Sequence, residues 1–153
     1  MEKKTAEVRD SAAMREGTSK TSSRILDMTG LQGKVTKSGP GPMSCSGYEP
    51  ENQVVQMIHT WSIYDLPFED LKKAYDGMRT TLPRNNWKIT SDGPDDSPAK
   101  TPTMRADAPD GDFSAELRLM DNRRDPQAKT KALIYVTVVS RCFQDGPAPS
   151  GAS

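Results

Sequence analysis

The sequence predicts an α+β fold: an antiparallel sheet of four to five strands with one or two helices packed on one face. Three observations carry this expectation. The readable order is helix, strand, helix and then strands with no helix between them, which excludes a doubly wound parallel sheet, because each parallel crossover needs its own helix. The longest alternating segment, Val54 to Tyr64, is apolar on both sides and so belongs inside a sheet. Finally, 23 of the 153 residues are Leu, Ile, Val or Phe, and 18 of those lie between Val54 and Phe143. That content is below the roughly 20% typical of folding chains, yet the formal net charge is zero. A modest core with long polar flanks satisfies both facts. The chain therefore reads as one domain over residues 21–144, with a flexible tail over 1–20, a linker over 36–47 and a disordered tail over 145–153.

The elements follow in order. Lys3/Glu7 and Glu16/Lys20 stand at helical i,i+4 spacing, but Gly17 and the polar run after it interrupt the pattern, so residues up to Lys20 are expected to fray. A short helix over Thr21 to Met28 has an apolar stripe of Ile25, Leu26 and Met28, Ser22 or Ser23 as cap and Gly30 as stop. Thr36 to Gly47 holds five Gly or Pro residues, which argues against regular structure. Val54 to Tyr64 is a strand with Val55, Met57, His59, Trp61 and Ile63 on one side and Val54, Ile58, Thr60 and Tyr64 on the other.

Asp65 is expected to cap a helix with Pro67 in its first turn and Glu69 and Asp70 at its positive end. Leu71, Ala74, Tyr75, Met78 and Leu82 form the inner face, Lys72, Lys73 and Arg79 the outer, and Pro83 ends it. Trp87 to Thr90 reads as a short strand and Ser91 to Pro102 as a loop. Thr103–Ala106 and Phe113–Met120 form a hairpin through Ala108–Gly111. After a polar turn over Asp121 to Lys131, Ala132 to Phe143 is β-branched and strand-forming.

The chemistry is narrower than the fold. Twenty-one basic and 21 acidic residues are spread along the chain, so no basic face suits nucleic acid or anionic lipid. No apolar run approaches the roughly 20 residues of a bilayer span, and Met1-Glu2-Lys3-Lys4 opens no signal-like segment. Cys45 and Cys142 flank the core and form no CxxC pattern. A disulfide between them would close a long loop around a weak core, and two reduced thiols in a cytosolic protein are the alternative.

His59 is the only histidine and thus the one residue poised for acid–base work near neutral pH, but it alternates with Met57 and Trp61 on an apolar face, where packing explains it better. Asp92/Asp95/Asp96 and Asp107/Asp110/Asp112 lack calcium-loop spacing, with Arg118 standing where a bidentate Glu would belong, so turn chemistry accounts for them. There is no GxSxG, Walker or GxGxxG motif, so no catalytic residue, cofactor or metal ligand is assigned. Tyr48, Trp61, Tyr64 and Trp87 read as core aromatics before partner anchors.

A polar N-terminal segment, a Pro/Gly linker holding Cys45, Ile58-His-Thr-Trp-Ser62, an amphipathic helix, Asn86-Trp-Lys-Ile89 and Ile134-Tyr-Val-Thr-Val-Val-Ser-Arg-Cys142 together resemble the mature domains of small actinobacterial envelope lipoproteins. The resemblance implies an outer-face tether through an N-terminal lipidated cysteine, which this chain does not carry at its start. The expected function is an extracytoplasmic binding or interaction module for a protein or small ligand, without catalysis, and Thr60, Ser62 and Tyr64 on the uncovered sheet face are its expected binding residues. Two alternatives stand beside it: a small hydrolase or isomerase using His59 with a carboxylate, and a cytosolic regulatory protein with free thiols.

Overall fold

The computed structural model describes residues 6–36 and 38–146. The expectations for residues 1–5 and 147–153 lie outside them. The first elements are β1 (Val8–Arg9), α1 (Ser11–Thr29), β2 (Lys34–Val35) and β3 (Gly41–Ser44). The long strand β4 (Val54–Tyr64) leads into α2 (Phe68–Arg84), and β5 (Lys88–Pro94), β6 (Pro102–Asp107), β7 (Phe113–Asp121), β8 (Ala132–Ser140) and β9 (Phe143–Asp145) complete the chain.

The fold is α+β, with two helices on one face of a mainly antiparallel sheet. The sheet is larger than the four to five strands expected and not wholly antiparallel. Its nine strands run β1-β9-β4-β8-β7-β6-β5, with β2 and β3 on the other edge of β4, and β1 lies parallel to β9. The extra strands are two to four residues long, too short for alternation to be visible. β3 also lies inside the supposed linker, where Pro42 is tolerated because it sits in an edge strand.

Residues 8–20 are not a tail. α1 begins at Ser11, with Asp10 as its N-cap accepting from Ala13 N at 3.0 Å, so Ser22 and Ser23 lie mid-helix and cap nothing. Its buried face is Met14, Thr18, Thr21, Ser22 and Ile25. The two threonines turn their hydroxyls back to the carbonyls of Met14 and Gly17, at 2.7 and 2.8 Å, so polar residues line an inward face without an unpaired donor. Gly17 is a contact rather than a break: a Cβ there would stand 2.7 Å from Phe113 Cζ. Gly30, at φ 68°, ends the helix as expected.

In α2, Leu71, Tyr75, Met78 and Leu82 are buried and Lys72, Lys73 and Arg79 are exposed. Asp65 does not cap this helix. It takes a left-handed φ of 63° in the turn after β4, and Pro67 is the N-cap. The helix also runs past Pro83 to Arg84, since a proline in the last turn forfeits only one backbone bond. Exposed Gly77 is the weak point, because a Cβ there would meet nothing within 4 Å. Gly77→Ala is expected to stabilise the fold by about 0.5–1 kcal/mol through the unfolded chain's lost freedom, raising the melting temperature by about 1–4 °C. A lower melting temperature would show a contact that the open surroundings do not suggest.

The main core joins both helices to the inward residues of β4, β6, β7 and β8, among them Trp61, Ile63, Met104, Leu117, Ile134 and Val136. A second cluster of Met14, Met57 and Phe143 sits where α1, β4 and β9 meet. Cys45 and Cys142 are disulfide-bonded across 97 residues, with Cα atoms 6.3 Å apart. β8 is antiparallel to β4, so its end reaches the start of β4, where the chain from Cys45 enters. Among the described residues no helix is long and apolar enough to cross a membrane.

Candidate functional site

β4 lies across both sides of the molecule, and each side presents a surface. On the helix-free side its even-numbered residues align with β8 in rows: Ile58 with Val139, Thr60 with Thr137, Ser62 with Tyr135 and Tyr64 with Leu133. Thr60 is exposed, and Ser62, Tyr64, Tyr135 and Leu133 are half-buried. All three residues expected from the sequence to bind a ligand thus share this face. The half of the face formed by β4 and β8 is free of charged side chains.

The half formed by β7, β6 and β5 is ionic. Glu116 accepts from Arg118 Nε at 2.7 Å and Arg105 Nε at 2.8 Å, and Arg118 Nη1 reaches Asp95 Oδ2 at 3.1 Å. Burial alone would raise the Glu116 pKa, but its bonds to Arg118 and then Arg105 outweigh that and leave it lowered. Beside this chain of ion pairs lies an open hollow of about 540 Å³ that Arg105, Arg118, Asp95 and Asp96 help to line.

The carboxylates singled out in the sequence are largely engaged. Asp92 holds Arg79 at 2.6 Å, Asp95 accepts from Ser97 and Thr101, Asp107 accepts from Ser114, and Asp110 accepts from Asp112 N. Asp112 pairs with Arg9 and Arg141. Among the described residues no group of three or more His, Cys, Asp or Glu is placed to hold a metal ion.

The helix side of β4 carries His59, which is 8% exposed. Its Nε2 lies 3.0 Å from the Ser38 carbonyl and its Nδ1 2.8 Å from Ser22 Oγ. A carbonyl can only accept, so Nε2 carries the proton and Nδ1 accepts from the serine hydroxyl. The carboxylate that acid–base work would require is not among its partners. A cleft of about 220 Å³ opens beside this pair, walled by Ser19, Ser22, Ser23 and Leu26 of α1, by Val35, Thr36 and Ser38 and by His59 and Trp61, with no charged side chain among these described residues. Ser22 is the residue that sequence reasoning missed. Its spacing from Ser19 and Ser23 places the three on one helical face, a signal visible only once α1 is known to reach back to Ser11.

Burial disfavours the charged imidazole and holds the His59 pKa below its ordinary value, although the bond to the Ser38 carbonyl pulls it upward. The unfolded chain, titrating near about 6.5, then binds a proton before the folded one does, so stability falls as the pH drops below that value. The carboxylates lose their charge only at lower pH, which leaves the interval between about 6.5 and 5 to the single histidine. Denaturant titrations over this interval should show declining stability that His59→Gln flattens. An unchanged slope in the variant would remove His59 as the cause.

The chain matches no family model, and neither the curated proteins nor the solved structures contain a match to it, so the reading of these surfaces rests on their geometry and chemistry.

Proposed function

We propose that this protein is an extracytoplasmic module of the cell envelope that works by binding a protein partner on its helix-free sheet face, and that it has no catalytic activity of its own. The observation that carries the proposal is the division of that face into a charge-free half with Tyr64 and Tyr135 and a half edged by Arg105 and Arg118. Interfaces between proteins have this anatomy, poor in charge at the centre, rich in tyrosine and arginine, and polar at the rim. The charge-free half of this open face suits a macromolecular surface better than a small molecule, which needs a concave site, since the hollow of about 540 Å³ lies on the ionic half. The Cys45–Cys142 bond supports an oxidising location, since such bonds do not persist in the reducing cytosol. His59 supports a structural role, with both ring nitrogens bonded to Ser22 and Ser38.

The test is site-specific photo-crosslinking in the cells that make the protein, with the crosslinker at Thr60 on the open face or at Lys72 on the exposed side of α2. A discrete adduct from position 60 that is missing from position 72, and is weakened by Tyr135→Ala, is the expected result. An adduct of twice the chain's own mass would make the partner a second copy and overturn the reading of a different protein. Equal adducts from both positions, or none from position 60, would overturn the docking face.

A further inference from the structure

At the end of β4 away from the disulfide, an open hollow of about 480 Å³ gathers three exposed lysines from two distant segments. Lys34 begins β2, directly opposite Tyr64, and Lys129 and Lys131 belong to the loop between β7 and β8. Residues directly opposite in an antiparallel pair share one side of the sheet, so Lys34 stands beside Tyr64 at the margin of the docking face. A single lining carboxylate, Asp65, answers the three ammonium groups, and it holds only Lys34, at 3.5 Å. Lys131 Nζ donates to the Asp125 carbonyl at 3.3 Å, and Lys129 has no partner among the described residues. Exposed cations elsewhere sit closer to carboxylates: Lys72 on Asp76 and Arg123 on Asp121, each at 2.8 Å. In a chain of 21 basic and 21 acidic residues, the hollow thus holds a local excess of positive charge, and like charges side by side repel.

We infer that this hollow binds a phosphoryl group carried on a small molecule or a headgroup. The reading borders the docking face but does not depend on a protein partner there. The lining chooses the chemistry. Planar carboxylates are matched best by the rigid fork of arginine, and the cations here are all lysines, point charges on flexible stems with three donors each. Such groups close around a tetrahedral oxyanion from several sides, wherever its oxygens lie. Size adds the carrier. A volume of about 480 Å³ falls within the roughly 300–1,000 Å³ of small-molecule sites and exceeds what a bare phosphate ion needs. Leu66 and Pro67, on the same lining, offer the apolar contact that a carrier requires.

The test is titration of the ¹⁵N-labelled full chain with glycerol 3-phosphate at constant ionic strength, followed through its backbone amides. The signals of Asp65, Thr130 and Lys131 should move saturably, with a dissociation constant on the order of 1 mM, as expected for a small ligand in an open site. Those of Asp27 and Asn85, which line a different hollow, should stay in place. Lys129→Gln removes a charge without breaking a bond to the described residues and should weaken binding about tenfold, whereas Lys72→Gln, on the exposed side of α2, should leave it unchanged. Succinate, an equally charged dicarboxylate, should bind about tenfold more weakly than the phosphate ester. Sedimentation with phosphatidylcholine vesicles containing phosphatidic acid separates the carriers: protein that pellets with them, and fails to in Lys129→Gln, takes the group from a lipid, and protein that stays in solution takes it from a soluble ester. Amide signals that ignore glycerol 3-phosphate, follow succinate equally, or respond undiminished in Lys129→Gln would overturn the site.

Discussion

Removing the Cys45–Cys142 bond by the double substitution Cys45→Ser and Cys142→Ser should lower the melting temperature by about 10–20 °C. The bond closes a loop of 97 residues, and the chain-entropy treatment assigns about 4.7 kcal/mol to a loop of this size. For a chain of this length each kcal/mol is worth about 2–4 °C. The loss should be uneven. Cys142 lies between β8 and β9, so its release frees β9 and the short parallel pair that β9 forms with β1. Amide exchange should therefore accelerate first at Gln144 and Gly146, whose N–H groups are held by the carbonyls of Glu7 and Arg9 at 2.8 and 3.1 Å. A melting point within about 3 °C of the native protein would mean that the strands hold this corner without the covalent link.

Deleting the chain through Lys20 should be as damaging. The deletion removes β1 and the first half of α1, and with them Met14, which closes the cluster over Met57 and Phe143. Truncating one buried methionine to alanine costs about 2–5 kcal/mol, and the deletion exposes the cluster's remaining apolar surface as well. A melting point at least about 10 °C lower, or failure to fold, is expected. Met14→Ala alone separates packing from the loss of helix length, and should account for about half of the effect or more. A deletion variant that melts within a few degrees of the full chain would show that this half of α1 is not docked.

The sequence by itself determined the elements whose pattern is both long and apolar. β4 and β8 alternate over nine residues or more, and α2 repeats Leu71, Tyr75, Met78 and Leu82 at helical spacing around a polar outer face. In each, local periodicity and burial agree, so the period alone gives the face. The cysteine pairing was legible for a related reason: two residues flanking a weak core could be joined wherever the last strand returned beside β4.

Tertiary structure alone decided α1, the short strands and the cleft. The inner face of α1 is largely hydroxyl-bearing, and Thr18 and Thr21 become suitable for burial only when their hydroxyls turn back to the helix and Phe113 comes to rest on Gly17. β1 and β9 exist because each supplies the other's backbone bonds, a reason invisible in two or three residues taken alone. His59 shows the same limit, since its tautomer and its role depend on Ser22 and Ser38, 37 and 21 residues away. Hydrophobic period is a local property of the chain and can be read along it, whereas satisfaction of a polar group depends on which distant segment arrives beside it, and only the folded chain fixes that.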